Sequence, residues 1–153
     1  MNKVFGIKEN AEYYDRRGAY IIPIREGKVG VVKTPKGYFF IGGGLEQNET
    51  DRQCIQRESL EETGFQVKIE KYICSAESFL VHSRIGYFHP IQNYYSGELI
   101  EKIQDPKEGD HVLQWVEYGQ MKGKMYSEMQ SWALAQAWKK HHAEPRSDSP
   151  RRR

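Results

Sequence analysis

Apolar and polar positions alternate through the first half of the chain. Residues 3–7 read as a short initial strand that pairs at a sheet edge. Residues 19–24 (AYIIPI) and 28–33 (KVGVVK) are strand-like runs. The Arg25-Glu26-Gly27 turn between them predicts a hairpin, with Pro23 marking an edge or a bulge. A second turn at 34–37 (TPKG) leads into a short strand at 38–40 (YFF) and then three glycines. Residues 66–79 form a long β-rich stretch in which Val67 and Ile69 alternate with Lys68 and Glu70, the half-buried pattern. After a turn at 82–84, residues 85–95 (IGYFHPIQNYY) predict another strand, interrupted at Pro90. Residues 96–110 show no apolar period and read as a charged loop, and 111–116 (HVLQWV) return to strand character. Residues 124–141 carry Met125, Met129, Trp132, Leu134 and Trp138 at helical spacing, a stripe that belongs to the core.

One further helix is signalled at both ends. Thr50 and Gln53 form a capping-box pair, so a helix starts near Asp51, and Gly64 stops it at about Thr63. Within it Glu58, Glu61 and Glu62, spaced i, i+3 and i+4, share one narrow face. Like charges so placed repel by roughly 0.2–0.5 kcal/mol per pair, which calls for a cation. Hard oxygen donors converging from one face suit Mg²⁺ or Mn²⁺. The glycines at 42–44 let backbone approach the same place and lend carbonyls. Glu49 lies at the helix entrance, where the dipole favours it, and Arg57 is its natural partner. A glutamate-rich turn alone is usually a solvated face. Here the glycine entry, the cap, the Arg57–Glu49 option and Gly64 all agree.

Gly43, Glu49 and the run Arg57-Glu58-Ser59-Leu60-Glu61-Glu62-Thr63-Gly64-Phe65, at these spacings, resemble the Nudix box. All seven fixed letters of the pattern match across the 23 residues from Gly43 to Phe65, as does the apolar position at Phe65. Ser59 stands where an aliphatic residue is usual, and Ile41 where many members have proline; both bear on packing rather than on a ligand. Strands on either side of a central helix, with a second helix at the end, suggest an α+β or α/β layered domain. The resemblance sharpens this to an α/β/α sandwich with a mixed β-sheet and a loop–helix–loop motif. It also implies divalent-metal-dependent hydrolysis of a pyrophosphate bond in a nucleoside diphosphate joined to another group. Glu61 and Glu62 would then be metal ligands, and Glu58 a ligand or the general base. The Gly42 carbonyl would complete the inner shell, with Arg57 and Glu49 orienting it. Members commonly need one more acid, and Glu108 is the favoured choice over Asp110, Glu98 and Glu101, because it stands a few residues before the HVLQWV strand. Mg²⁺ is the expected cofactor, with Mn²⁺ as the alternative.

Substrate contacts are sought outside the box. Lys33 and Lys36 flank the strand entering the site and could reach phosphates. Tyr38, Phe39 and Phe40 alternate across that strand, so at least one, Tyr38 or Phe40 in the first instance, should face the cleft and stack a base. His82, His89 and His111 share no ligand spacing and read as structural or exposed. Three functions compete: a small-nucleotide pyrophosphohydrolase, an RNA 5′-end pyrophosphohydrolase, and a silent nucleotide-sensing module, which would be expected to lose box acids.

Composition narrows the choice. The 153 residues, 38% hydrophobic and 29% charged, suit one domain, placed at 1–142, with a disordered basic tail at 143–153. The net charge of +2 resides in that tail, leaving 19 basic and 19 acidic residues in the body. A neutral body has no broad nucleic-acid footprint, so no stable nucleic-acid partner is expected and the small nucleotide ranks first. Cys54 and Cys74 have no disulfide or metal spacing and read as reduced buried thiols. The charged N-terminus resembles no signal peptide, and no apolar run approaches the roughly 18 residues of a membrane span, so a cytoplasmic location is expected. The oligomeric state stays open, a homodimer included.

Overall fold

The computed structural model describes residues 1–143. Along them run β1 (Asn2–Phe5), β2 (Tyr14–Arg25), β3 (Lys28–Thr34), β4 (Gly37–Phe39), β5 (Ile41–Gly44), α1 (Asp51–Glu62), β6 (Phe65–Ser78), β7 (Leu80–His82), β8 (Gly86–Lys102), β9 (Val112–Glu117) and α2 (Glu128–Ala143). The expected tail lies, apart from Ala143 at the end of α2, outside the described residues. The sheet is ordered β1-β6-β8-β2-β3-β4, with β5 on β2, β7 on β8 and β9 on β3. It is mixed: β1 pairs β6 and β2 pairs β8 in parallel, while the other ladders are antiparallel.

Strand alternation divides the core into two clusters. Ile21, Val32 and Ile41 pack with Cys54 and Ile55 of α1. Ile22, Val31 and Phe40 pack with Met129, Ala133, Leu134 and Ala137 of α2. Neighbours such as Ile21 and Ile22 point to opposite faces, so the two helices cover opposite sides of the sheet. The layered α/β/α expectation holds.

Three elements differ from the sequence reading. β8 runs on to Lys102, so residues 96–102 are strand rather than loop; they pair with Phe65–Ile69 of β6. The alternation was masked because a glycine, Gly97, fills an inward position, where a Cβ would collide with the Lys68 carbonyl, and Ile100 points outward. The glycines, given no element by the sequence, form β5 paired with β2. Lys124 to Ser127 precede α2 as turns, with Tyr38 bonded through its backbone on both sides of Met125. Pro23 makes no bulge in the ladder with β8 but lies at a local edge of β2. It falls between the β5 ladder, which ends at Ile21, and the β3 ladder, which begins at Ile24, where no neighbour needs its missing N–H. Pro90 likewise lies within β8 without ending it.

Candidate active site

α1 starts as its letters dictate. The Thr50 hydroxyl accepts from the Gln53 N–H, and the Gln53 side chain accepts from the Thr50 N–H. At its far end Gly64 takes φ +81°, and a Cβ there would collide with the Gln104 carbonyl. Ser59, the departure from an aliphatic position, is fully buried, and its hydroxyl donates to the Phe65 carbonyl at 2.8 Å. A polar group is tolerated there because it is bonded.

Arg57 is the hub of the site. Its Nε and Nη2 hold Glu49 in a fork at 2.7 and 3.0 Å, and Nη2 also donates to the Gly44 carbonyl at 3.1 Å. Nη1 reaches Glu58 at 3.2 Å and Glu61 at 3.3 Å. The guanidinium holds the Glu49 carboxyl below the ordinary carboxylate range, and Glu49 in turn raises Arg57. With Glu46 at 3.6 Å from Nε, one cation thus faces four carboxylates and ties the helix to β5.

Past that hub, carboxylates outnumber cations. The Glu62 side chain is 9% exposed, and its Oε1 accepts the Gly42 N–H at 3.1 Å. Burial pushes the Glu62 carboxyl up to about 9, with Glu58, Glu108 and Glu61 adding to the effect against the Gly42 N–H. Burial also raises Glu58 to about 6, opposed by Arg57. β5 packs against these groups: a Cβ on Gly43 would come within 2.6 Å of Glu58 Cδ.

The loop after β8 brings in a fourth acid. The Glu61 carbonyl accepts the N–H of Lys107 at 2.7 Å and of Glu108 at 3.4 Å, clasping the loop to the end of α1. Ligand atoms of Glu58, Glu61 and Glu108 lie within 4.8 Å of one another, as do those of Glu62, Glu108 and His111. Buried carboxylates raised by desolvation, with hard oxygen donors converging on one place, fit a small divalent cation. Among the described residues Glu58 and Glu61 bring carboxylate oxygens to Glu108 from one side, and Glu62 joins Glu108 and His111 from the other.

The NUDIX domain family matches residues 14–136, most of the chain. The chain belongs to the Nudix family. Solved structures with the same fold include the E. coli ORF135 protein, at 20% identity with a TM-score of 0.65, covering 87% of this chain and 95% of that one. A Nudix hydrolase from Nitrosomonas europaea aligns at 15% identity and TM-score 0.68, over 89% and 100% of the two chains. The MutT protein of Methanosarcina mazei Go1 aligns at 14% and 0.68, over 88% and 100%. Comparison with curated proteins finds no match. The expectation of a Nudix hydrolase stands.

Within this Nudix domain the box residues and Glu108 converge, while the expected substrate residues do not. Phe40 is corrected: it is 0% exposed, edge-on to Tyr94, with its N–H bonded to Gln130 of α2, so no face is left for a base. Tyr38 packs toward the α2 cluster and donates its hydroxyl to Gln114 at 3.0 Å. Phe39 lies against Tyr126. Lys33 pairs opposite Tyr38 and shares the side of β3 taken by Val29 and Val31, the α2 face. Lys36 lies over the Tyr126 ring. Glu98 and Glu101 sit on β8 opposite Lys68 and Gln66 of β6, and Asp110 lies 3.7 Å from His111 Nε2.

Two residues at the site escaped the sequence reading. Arg16 of β2 lies over Gly44, where a Cβ would come within 2.8 Å of its Cζ. His111, read as structural or exposed, is turned into the acid cluster, and its N–H bonds the Glu108 carbonyl at 3.1 Å. The i, i+3 spacing from the favoured acid Glu108 was the available signal.

Proposed function

We propose that this chain is a divalent-cation-dependent pyrophosphohydrolase of a small nucleotide, cleaving a nucleoside diphosphate from an attached group. The observation that carries the proposal is the convergence of Glu58, Glu61 and Glu108 within 4.8 Å beside the buried Glu62, with Arg57 bridging two of them. Mg²⁺ is the proposed cation, with Mn²⁺ as an alternative, held by Glu58, Glu61, Glu62 and Glu108; the Gly42 carbonyl remains a proposed donor. When bound, the cation supplies neutralisation of the bridging phosphate charge. Glu58 is the candidate base in the alternative arrangement in which it does not ligate the cation, its carboxyl raised by burial toward a basicity that lets it take a proton from an attacking water. Arg57 and Glu49 hold the acids in register with β5. Glu62 is positioned by the Gly42 N–H and needs the cation to stay ionised. Arg16, at the glycine strand, is the nearest candidate for reading phosphate charge. Lys33, Lys36 and Tyr38 remain weaker substrate candidates for the geometric reasons above.

A single domain over residues 1–142 is proposed to suffice for this chemistry. Two buried free thiols, Cys54 and Cys74, favour a reducing compartment such as the cytoplasm. Among the described residues no helix is long and apolar enough to cross a membrane.

The test is a panel of NTPs, 8-oxo-dGTP, ADP-ribose, diadenosine polyphosphates, NADH and 5′-triphosphorylated RNA, assayed with Mg²⁺ beside Glu61→Gln. Turnover of one class, lost by at least about 100-fold in the variant, is the expected result, in line with removal of a stabilising group from a transition state. A folded protein silent with both Mg²⁺ and Mn²⁺, yet raised in melting temperature by a nucleotide, would establish the sensing module instead.

A further inference from the structure

The carboxylates of the centre have one neighbour that is not an oxygen. His111 precedes β9, and its backbone N–H is bonded to the Glu108 carbonyl, which fixes where the ring projects. Nδ1 is buried and lies 3.1 Å from Glu108 Oε1 and 3.5 Å from Glu62 Oε2, yet makes a well-formed hydrogen bond to neither. A buried nitrogen with no hydrogen bond is costly unless something else uses it. Adjacent ligands on an octahedral ion with bonds of about 2.1 Å stand about 3 Å apart. The Nδ1–Oε1 separation is close to that edge length, and the Nδ1–Oε2 separation lies somewhat beyond it.

We infer that His111 is a nitrogen ligand of the centre, joining Glu62 and Glu108 around a cation through Nδ1 and giving that position a preference for Mn²⁺ over Mg²⁺. This rests on the cation-dependent function proposed above. Imidazole nitrogen suits the later ions Fe²⁺, Ni²⁺ and Zn²⁺ best, and of Mn²⁺ and Mg²⁺ only Mn²⁺ stands in that transition-metal series, at its weak end. The His111 N–H bond to the Glu108 carbonyl anchors its backbone, and Asp110 Oδ1, 3.7 Å from Nε2, stands on the side of the ring where a carboxylate orients a ligating histidine.

The test reads the metal directly, without turnover. Mn²⁺ is added to the full chain, and electron spin-echo spectra are recorded for the wild type, His111→Ala and His111→Gln, with His89→Gln as a control for non-specific histidine binding. The wild type and His89→Gln should show nitrogen modulation that both His111 variants lack. Mn²⁺ affinity should fall by about 10- to 100-fold in the His111 variants, at least what loss of an outer-shell partner costs, while Mg²⁺ affinity falls far less. Bound Mn²⁺ with no nitrogen modulation in the wild type overturns the inference and leaves the cation-dependent reading standing. Failure of the wild type to bind Mn²⁺ overturns the inference, and failure to bind both Mn²⁺ and Mg²⁺ overturns the cation-dependent reading with it. The wild-type spectrum decides the ligation even where a variant folds poorly.

Discussion

Replacing Glu62 with glutamine should stabilise the metal-free protein, an unusual outcome for a substitution in an active site. The folded carboxyl titrates near 9 against an ordinary value of 4.5, so the folded state retains a proton that the unfolded chain releases. Stability contributed by that proton is full below pH 4.5 and drains away as the pH rises to 9. At pH 7 the loss spans 2.5 of those units, or about 3 kcal/mol at roughly 1.4 kcal/mol per unit. Glutamine keeps an oxygen for the Gly42 N–H and never ionises, so it avoids the loss. For a domain of this size, about 3 kcal/mol corresponds to roughly 6–12 °C, taken as a ceiling. Glu58 drains stability in the same direction between 4.5 and about 6, but equally in both proteins.

The assay is thermal unfolding in EDTA at pH 5, 7 and 8.5, repeated with Mg²⁺. In EDTA the variant should melt above the wild type, by a margin that shrinks toward pH 5. With Mg²⁺ the order should reverse, because a ligand stabilises the fold in proportion to its affinity and the variant lacks a carboxylate. An EDTA-treated variant melting at or below the wild type at pH 8.5 would refute the buried-carboxylate account.

Three further substitutions separate clamp from strand. Arg57→Lys keeps the charge but loses the fork on Glu49 and the bond to Gly44, charge-assisted contacts worth about 1.5–3 kcal/mol each, so a lower melting temperature and at least a tenfold loss of turnover are expected. Gly42→Ala places a side chain at φ +150° against the Ala19 carbonyl and within 2.7 Å of Tyr20 Cα, whereas Gly86, at φ +89°, has nothing within 4 Å. Denaturant unfolding should show both alanine variants bearing the roughly 1–3 kcal/mol of backbone strain, with Gly42→Ala costing clearly more from the clash.

The most legible parts of the site are those whose signals are local. The capping pair Thr50 and Gln53, the stop at Gly64 and the spacing of Glu58, Glu61 and Glu62 are all properties of one helix, and each is where its letters put it. Alternation along β3 places Val31 and Val32 on opposite faces, but alternation does not say which face holds the cleft. That is why Phe40 was mistaken for a stacking residue. Whether it meets a base or a helix depends on α2, 90 residues away, whose Gln130 side-chain oxygen Oε1 accepts the Phe40 N–H. The end of β8 was hidden for the opposite reason: of its inward positions Gly97 and Leu99, the first is glycine, which is apolar only through the space it leaves for Ile21.

Glu108 and His111 show a third kind of illegibility. Nothing in the composition of residues 96–110 sets Glu108 apart from Glu98, Glu101 or Asp110; it was favoured by resemblance. The structure adds a physical cause. The last turn of a helix leaves carbonyls without intrahelical partners, and here the free Glu61 carbonyl is taken up by the loop N–H groups of Lys107 and Glu108. The residue that contributes one box carboxylate therefore also anchors, through its backbone, the loop that delivers another. Four acids are brought together by main-chain bonds that are indifferent to charge, with Arg57 the guanidinium that contacts the box acids. Such a site is held in its repelling arrangement by the scaffold, which leaves the binding energy of a cation to be expressed as chemistry rather than spent on assembly.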